Sequence, residues 1–181
     1  MRINVDLSVN DYDRDLFAER RIVLETRAGE SMVHIVLKVL AMAMFHDPRL
    51  QVEPVMGDDD RFKPDLLIRH DDHRPALWVE CGQCRVQKLD KVTFRYYDAK
   101  VVMLKRTERE AREIMERCRG QVRRLQAIEF IGFDNGFVEG VADALTGKND
   151  IVAIISGNSL QVVVDGETYP GTIHRFHSDA P

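Results

Sequence analysis

The chain is poor in cysteine and proline, with three Cys and six Pro among 181 residues. A small, odd number of cysteines is not the pattern of a disulfide framework, so the sequence predicts a protein of a reducing compartment. No apolar stretch approaches the roughly 18 residues that a membrane span requires. The first residues, MRINVDLSVND, also lack the form of a secretory signal. We therefore expect a cytoplasmic protein with no membrane association.

The sequence also lacks the glycine-rich motifs of nucleotide-binding enzymes and the G-x-S-x-G motif of serine hydrolases. A net charge of −4 argues against a protein that coats nucleic acid indiscriminately. The charge is unevenly distributed, however, because residues 85–124 hold 13 Lys and Arg against 6 Asp and Glu. This segment is either the solvated surface of two helices or a region that attracts a phosphate ligand.

The hydrophobic pattern predicts one domain over residues 1–181, of mixed α/β class. A mixed central sheet is expected between flanking helices, with additional β-hairpins at the N-terminal and C-terminal ends. The predicted strands are 3–9, 17–26, 50–55, 64–68, 77–81, 100–104, 128–133, 151–156, 160–164 and 171–176. The predicted helices are 32–45, which is apolar on nearly all sides, 84–97, 107–125 and 137–145.

The fourth and fifth predicted strands form a hairpin that carries a pair of acidic side chains. With the turn centred between Asp72 and His73, Asp65 lies opposite Glu80, and both are expected to face outward into a cleft. The same register places Leu67 opposite Trp78 and Arg69 opposite Ala76. Directly opposed residues point to the same face. Two like charges there destabilise the ladder unless a cation lies between them. Mg²⁺ or Mn²⁺ is one such cation, because these ions prefer carboxylate oxygen. The alternative is a salt bridge from a neighbour such as Lys63.

Basic residues recur at spacings of three and four along the helix that follows this hairpin. They form a basic stripe of Arg85, Lys88, Lys91 and Arg95. Acidic metal ligands beside lysines are what phosphodiester hydrolysis requires, because the metal activates a water and a cation stabilises the negative charge that develops. The pattern predicts hydrolysis or binding of a phosphate ligand.

Several short motifs follow one another in order along nearly the whole chain. They are Asp13-Arg14, Phe17-Ala18-Glu19, Pro64-Asp65, Trp78-Val79-Glu80-Cys81-Gly82-Gln83 with Lys88 and Lys91 downstream, Leu160-Gln161-Val162 and Asp165-Gly166. In this order they resemble the YaeQ-like family, a divergent branch of the PD-(D/E)XK restriction-endonuclease-like superfamily. The resemblance implies a restriction-endonuclease-like fold and a nuclease-like site that acts on or binds nucleic acid.

The resemblance also implies which residues form that site. Asp65 and Glu80 match the two acidic positions that hold Mg²⁺ or Mn²⁺ in the superfamily, and Glu30 is a third candidate metal ligand. The next motif position, usually lysine, is Gly82 here. The implied remainder of the site is a lysine from the following helix, Lys88 or Lys91, with Gln83 orienting a water or phosphate. The basic stripe itself adds Arg85 and Arg95 as candidate substrate contacts.

Two other functions are open on the sequence alone. One is a non-catalytic interaction module that kept the fold and lost the chemistry. The other is a thiol-disulfide protein, because Cys81 and Cys84 form a C-x-x-C motif between a strand and a helix. Against it, the strand belongs to a hairpin and Cys81 is expected on the core face. A zinc site would need further ligands, from Cys118, His70/His73 or His174/His177.

Aromatic side chains accompany the basic stripe. Phe94, Tyr96 and Tyr97 are candidates for stacking on a base, although the helical spacing of Tyr96 favours the core. Trp78 shares the face of Asp65, where it either packs under the helix or lines the pocket. The acidic run at residues 58–60 is expected to be a solvated loop. The sequence leaves open the choice between DNA and RNA, the oligomeric state, and whether turnover occurs at all.

Overall fold

A computed structural model describes residues 1–26, 28–57 and 61–178. Their strands are β1 Arg2–Asp11, β2 Leu16–Glu25, β3 Gln51–Val52, β4 Leu66–Arg69, β5 Pro75–Cys81, β6 Lys100–Leu104, β7 Ile128–Phe133, β8 Lys148–Ser156, β9 Ser159–Val164 and β10 Glu167–His177. Their helices are α1 Met32–Met44, α2 Val86–Arg95, α3 Glu108–Cys118 and α4 Phe137–Ala144. The predicted mixed α and β architecture is confirmed. The acidic run at residues 58–60 lies outside the described residues.

The chain divides into two compact units, each built from separate segments. Unit 1 comprises residues 1–46 and 133–174, and unit 2 comprises residues 47–132 and 175–181. The expectation of a single domain stays a prediction. Among the described residues, no helix combines the length and hydropathy that a membrane span needs.

Unit 1 is a sheet with helices α1 and α4 packed together. Its strand order is β2-β1-β8-β9-β10, in which β1 is antiparallel to β2 and parallel to β8. Strand β1 alternates buried and partly buried side chains, as its sequence predicts. Helix α1 is buried along most of its length, and Ser31 caps it by accepting from the backbone N–H of His34. Strands β8, β9 and β10 pair antiparallel in succession, as β1 and β2 do, so the predicted N-terminal and C-terminal hairpins are confirmed.

Unit 2 holds the predicted carboxylate hairpin. Its strand order is β3-β4-β5-β6-β7, with β4 and β5 antiparallel and β5, β6 and β7 mutually parallel. Helices α2 and α3 pack on one face over a core that includes Trp78, Leu89, Val101, Ile114 and Phe130. Because parallel strands end at the same edge, the residues after β5 and β6 are neighbours there.

Three local expectations are wrong, each for an identifiable reason. Strand β3 has two residues instead of residues 50–55, because Pro54 has no N–H to donate and Glu53 has a positive φ of 43°. Helix α3 ends at Cys118 instead of continuing to Leu125, because Arg119 leaves helical geometry. Arg69 lies opposite Pro75, not Ala76, because a bulge interrupts β4 after Ile68.

Candidate functional site

Asp65 and Glu80 lie close together at the end of the hairpin away from its turn. Leu66 pairs with Val79 and Leu67 with Trp78, and Asp65 directly precedes β4 beside the end of β5 that carries Glu80. The charge of Asp65 is close enough to Glu80 to act on its pKa. The Asp65 backbone N–H donates to the Val79 carbonyl at 3.0 Å, one residue out of the register in which Leu66 pairs with Val79, so the regular pairing ends at Leu66. One carboxylate oxygen of Asp65, Oδ2, accepts from the backbone N–H of Cys81 at 2.7 Å. The Asp65 carboxylate is thereby fixed to the end of β5.

Glu80 does not face an open cleft, contrary to the expectation from the sequence. It is 3% exposed, beneath α2. Its Oε1 accepts from the indole N–H of Trp78 at 2.7 Å. The ammonium group of Lys88 lies 2.6 Å from Oε1 and 2.8 Å from Oε2, and it also donates to the carbonyl of Lys63 at 2.8 Å. The side chain of Lys88 therefore turns inward from the basic stripe.

The electrostatics of Glu80 reflect this enclosure. Burial raises the pKa of Glu80 above its ordinary value, and the nearby charge of Asp65 adds to the rise. The positive charge of Lys88 and the hydrogen bonds from Lys88 and Trp78 act in the opposite direction. The cation that the paired carboxylates require is thus supplied by the protein itself, through Lys88.

The residues present do not fit Mg²⁺ or Mn²⁺ as they are arranged. Both oxygens of Glu80 already accept hydrogen bonds, and an ammonium group lies against them. Across residues 1–26, 28–57 and 61–178, no three His, Cys, Asp or Glu side chains are grouped as metal ligands. Glu30 belongs to unit 1, where it accepts from the ammonium of Lys38 and lies 3.2 Å from His34 Nε2. The metal site stays a prediction.

The backbone conformation at residue 82 explains why glycine stands there. Gly82 has a φ of +73°, in the left-handed region where a side chain adds about 1–2 kcal/mol of strain. Its carbonyl accepts from the ammonium of Lys105 at 2.6 Å. Lys105 directly follows β6, whose Leu104 pairs with Cys81. A lysine does reach this edge, but from the neighbouring strand.

A cleft opens at this edge between α2 and α3. We call it the α2–α3 cleft; its volume is about 520 Å³, and it is lined by Gln83, Cys84, Arg85, Val86, Gln87, Lys105, Ile114, Arg117 and Gln121. Two predicted site residues, Gln83 and Arg85, lie here. Lys105, Arg117 and Gln121 were not found from the sequence. The signal for Lys105 was available, because it immediately follows a strand parallel to β5.

Lys91 and Arg95 do not line the cleft. They lie further along α2, where the ammonium of Lys91 is 5.9 Å from the centre of the Phe62 ring and the guanidinium of Arg95 is 5.5 Å from that of Tyr96. Phe94 and Tyr97 are 58% and 63% exposed. Trp78 is a buried core residue, and partly buried Tyr96 packs against this core, with the ring centres of the two residues 5.3 Å apart.

The cysteines do not have the environment of a reactive centre. Cys81 is buried, and Cys84 is a partly buried free thiol. Burial raises the pKa of Cys84 to about 12, and the charges of Glu80 and Asp65 contribute to the rise. A redox-active thiol requires a lowered pKa, because the thiolate is the nucleophile. The environment therefore favours packing over redox chemistry.

Comparisons with known proteins identify the family. The family model described as "YaeQ protein" matches residues 2–172. The "Uncharacterized protein YaeQ" of Escherichia coli (strain K12) is 30% identical over 76 residues, which cover 42% of this chain and 41% of that protein; the Salmonella typhi protein is 29% identical over the same length. The chain thus spans well under half of the curated relatives' length in these matches.

Two solved structures share the fold. The YaeQ protein from Pseudomonas syringae has a TM-score of 0.83 at 17% identity, covering 99% of this chain and 97% of that chain. The YaeQ protein from Xanthomonas axonopodis pv. citri has a TM-score of 0.78 at 20% identity, covering 98% of both chains. The relationship to the PD-(D/E)XK superfamily stays a prediction. The family match over residues 2–172 shows that the chain belongs to the YaeQ protein family.

Proposed function

We propose that unit 2 binds nucleic acid through α2 and its flanking residues, without metal-dependent hydrolysis of the phosphodiester bond. The observation that carries the proposal is the contact of Lys88 with Glu80, at 2.6 Å and 2.8 Å from the two carboxylate oxygens. A lysine ammonium in this position neutralises the carboxylate that a catalytic metal would need. In this proposal, Glu80 keeps the acidic position of the superfamily site, but it is one partner of a buried ion pair with Lys88.

The fold of unit 2 supports a restriction-endonuclease-like origin for this site. An antiparallel hairpin carries Asp65 and Glu80, helix α2 follows it, and β6 then runs parallel to β5. This is the arrangement around the hairpin that the sequence resemblance implies. A nucleic acid is the ligand that such an origin favours.

The charged and aromatic side chains of α2 support a nucleic-acid ligand independently. Arg85, Lys91 and Arg95 are exposed, as are Phe94 and Tyr97. Cations that contact phosphates beside aromatic rings that stack on bases are the usual combination for binding a single strand. The cations and the aromatic rings occur together on helix α2 and within two residues of its ends.

Fluorescence anisotropy with labelled single-stranded and duplex oligonucleotides in EDTA tests the proposal. Three phosphate contacts give a salt slope of about −2.7 for duplex DNA, or roughly a 40-fold loss of affinity between about 50 and 200 mM salt. The double variant Lys91→Ala/Arg95→Ala is expected to reduce this slope by about 2. The charge-matched control Arg2→Ala/Lys148→Ala changes two exposed residues of unit 1 and is expected to bind as wild type does.

Two results would overturn the proposal. One is the absence of binding at low salt, or binding that the Lys91→Ala/Arg95→Ala variant does not weaken. The other is Mn²⁺-dependent cleavage that disappears in Glu80→Gln, which would establish the nuclease alternative instead.

A further inference from the structure

The α2–α3 cleft concentrates positive charge without a matching carboxylate. Three of its lining residues are cations, Arg85, Lys105 and Arg117, and three are amides, Gln83, Gln87 and Gln121. No Asp or Glu is among the lining residues that the structure describes. Like charges that converge in this way repel one another, so an anion in the cleft would stabilise the arrangement.

The pairing of the other arginines on α3 makes Arg117 distinctive. Three arginines of this helix contact a glutamate one turn away: Arg109 with Glu113, Arg112 with Glu108, and Arg119, at the helix end, with Glu116. Within the described part of the chain, neither Arg117 nor Arg85 forms an ion pair. Their guanidinium groups are exposed and available to a ligand.

Lys105, which directly follows β6, lines the cleft. It is partly buried, and its ammonium is held 2.6 Å from the Gly82 carbonyl oxygen. Burial lowers the pKa of Lys105, Glu110 opposes this effect, and the positive charge of Arg117 adds to it. A partly buried cation close to a second cation gains more from an anionic ligand than an exposed lysine does.

We propose that the α2–α3 cleft binds the phosphate monoester at an end of a nucleic-acid strand, an inference that rests on the proposed function. A phosphate monoester carries a charge of about −1.5 to −2 at neutral pH, whereas a phosphodiester carries a single charge. Three cations without a carboxylate match the higher charge better. The first residues of α2, Val86 and Gln87, line the cleft, and Arg85 makes no side-chain cap hydrogen bond at this helix end.

The cleft selects the phosphate and not the base. Its two aliphatic lining residues, Val86 and Ile114, are themselves buried in the core. Apart from the Cys84 thiol, which donates to the Arg85 carbonyl, the remaining lining residues are cations and amides that can donate to phosphate oxygens, and a guanidinium group can bind two oxygens at once. Binding is therefore expected to be independent of the terminal base.

The test compares 5′-phosphorylated, 3′-phosphorylated and unphosphorylated oligonucleotides of one sequence by anisotropy in EDTA. At least one phosphorylated form is expected to bind about tenfold more tightly than the unphosphorylated form, with inorganic phosphate as competitor. Lys105→Met and Arg117→Gln are each expected to remove this preference; Arg117 is exposed, so its replacement leaves folding intact. The control Lys91→Met is expected to weaken all three oligonucleotides equally and to keep the preference.

The outcomes separate this inference from the proposed function. Equal binding of all three oligonucleotides, unchanged by Lys105→Met and Arg117→Gln, overturns the cleft assignment and leaves nucleic-acid binding standing. If no oligonucleotide binds but calorimetry detects inorganic phosphate or pyrophosphate, and Arg117→Gln abolishes it, the cleft takes a free phosphate ligand and the proposed function is wrong. If neither binds, both are wrong.

Discussion

Replacement of Lys88 with methionine tests the internal ion pair directly. Methionine keeps most of the length of the side chain and removes the ammonium that lies 2.6 Å from Glu80 Oε1. The Glu80 carboxylate, 3% exposed, then keeps only the indole N–H of Trp78 among the partners described for it above. Removal of one partner from a buried pair costs about 3–5 kcal/mol.

Protonation of Glu80 limits this cost and makes it depend on pH. The ordinary pKa of the glutamate is 4.5, so protonation at pH 7 costs about 3.4 kcal/mol and at pH 5 about 0.7 kcal/mol. Loss of Lys88 raises the pKa of folded Glu80 further above its unfolded value. The folded state then binds more protons than the unfolded state, so stability falls as pH rises above 4.5, by up to about 1.4 kcal/mol per unit. We expect destabilisation of about 3 kcal/mol at pH 7 and less than about 1 kcal/mol at pH 5.

Urea unfolding followed by the fluorescence of Trp78, the single tryptophan, measures this at both pH values. At pH 7 the midpoint is expected to fall by about 1–2 M. Lys91→Met, an exposed replacement on the same helix, is the matched control and is expected to change stability by less than about 0.5 kcal/mol at either pH. The double variant Glu80→Gln/Lys88→Met is expected to recover most of the loss, because it leaves no buried charge. A small, pH-independent effect of Lys88→Met would refute the reasoning.

Two further predictions concern residues that follow β5. Gly82→Ala is expected to destabilise the protein by about 1–2 kcal/mol, because φ at this residue is +73°; this lowers the melting temperature by about 2–8 °C. Gly147→Ala, with nothing within 4 Å of the added carbon, is the control, and equal effects of the two changes would contradict the strain argument. Because burial raises the pKa of Cys84 to about 12, its reaction with a thiol reagent at neutral pH is expected to be much slower in the folded protein than in urea. Fast labelling that disappears in Cys84→Ser would instead support a redox function.

The sequence was sufficient for the hairpin because its information is local. Alternating apolar residues fix which side of each strand is buried. The position of the turn fixes which residues lie opposite each other, so the pairing of Leu67 with Trp78 was predictable. The bulge after Ile68 was not, because nothing in the residue pattern marks it. The predicted apolar helix over residues 32–45 agrees with α1 for the same local reason.

The direction in which each Lys or Arg side chain points could not be predicted in this way. Lys88 shares helical spacing with Lys91, yet it turns inward because buried Glu80 lies beneath the first turn of α2. The α2–α3 cleft depends on Arg85, Lys105 and Arg117, which come from three separate elements. Their convergence follows from parallel pairing and helix packing, which are tertiary features.

Calorimetric titration with Mn²⁺ tests the central claim, that Lys88 supplies the cation of the Asp65–Glu80 pair. Wild-type protein is expected to show no Mn²⁺ binding that depends on Glu80. Lys88→Met, which leaves both carboxylates without that cation, is expected to bind Mn²⁺ more tightly than wild type does. Tight binding of one Mn²⁺ by the wild-type protein, abolished by Glu80→Gln, would contradict the account.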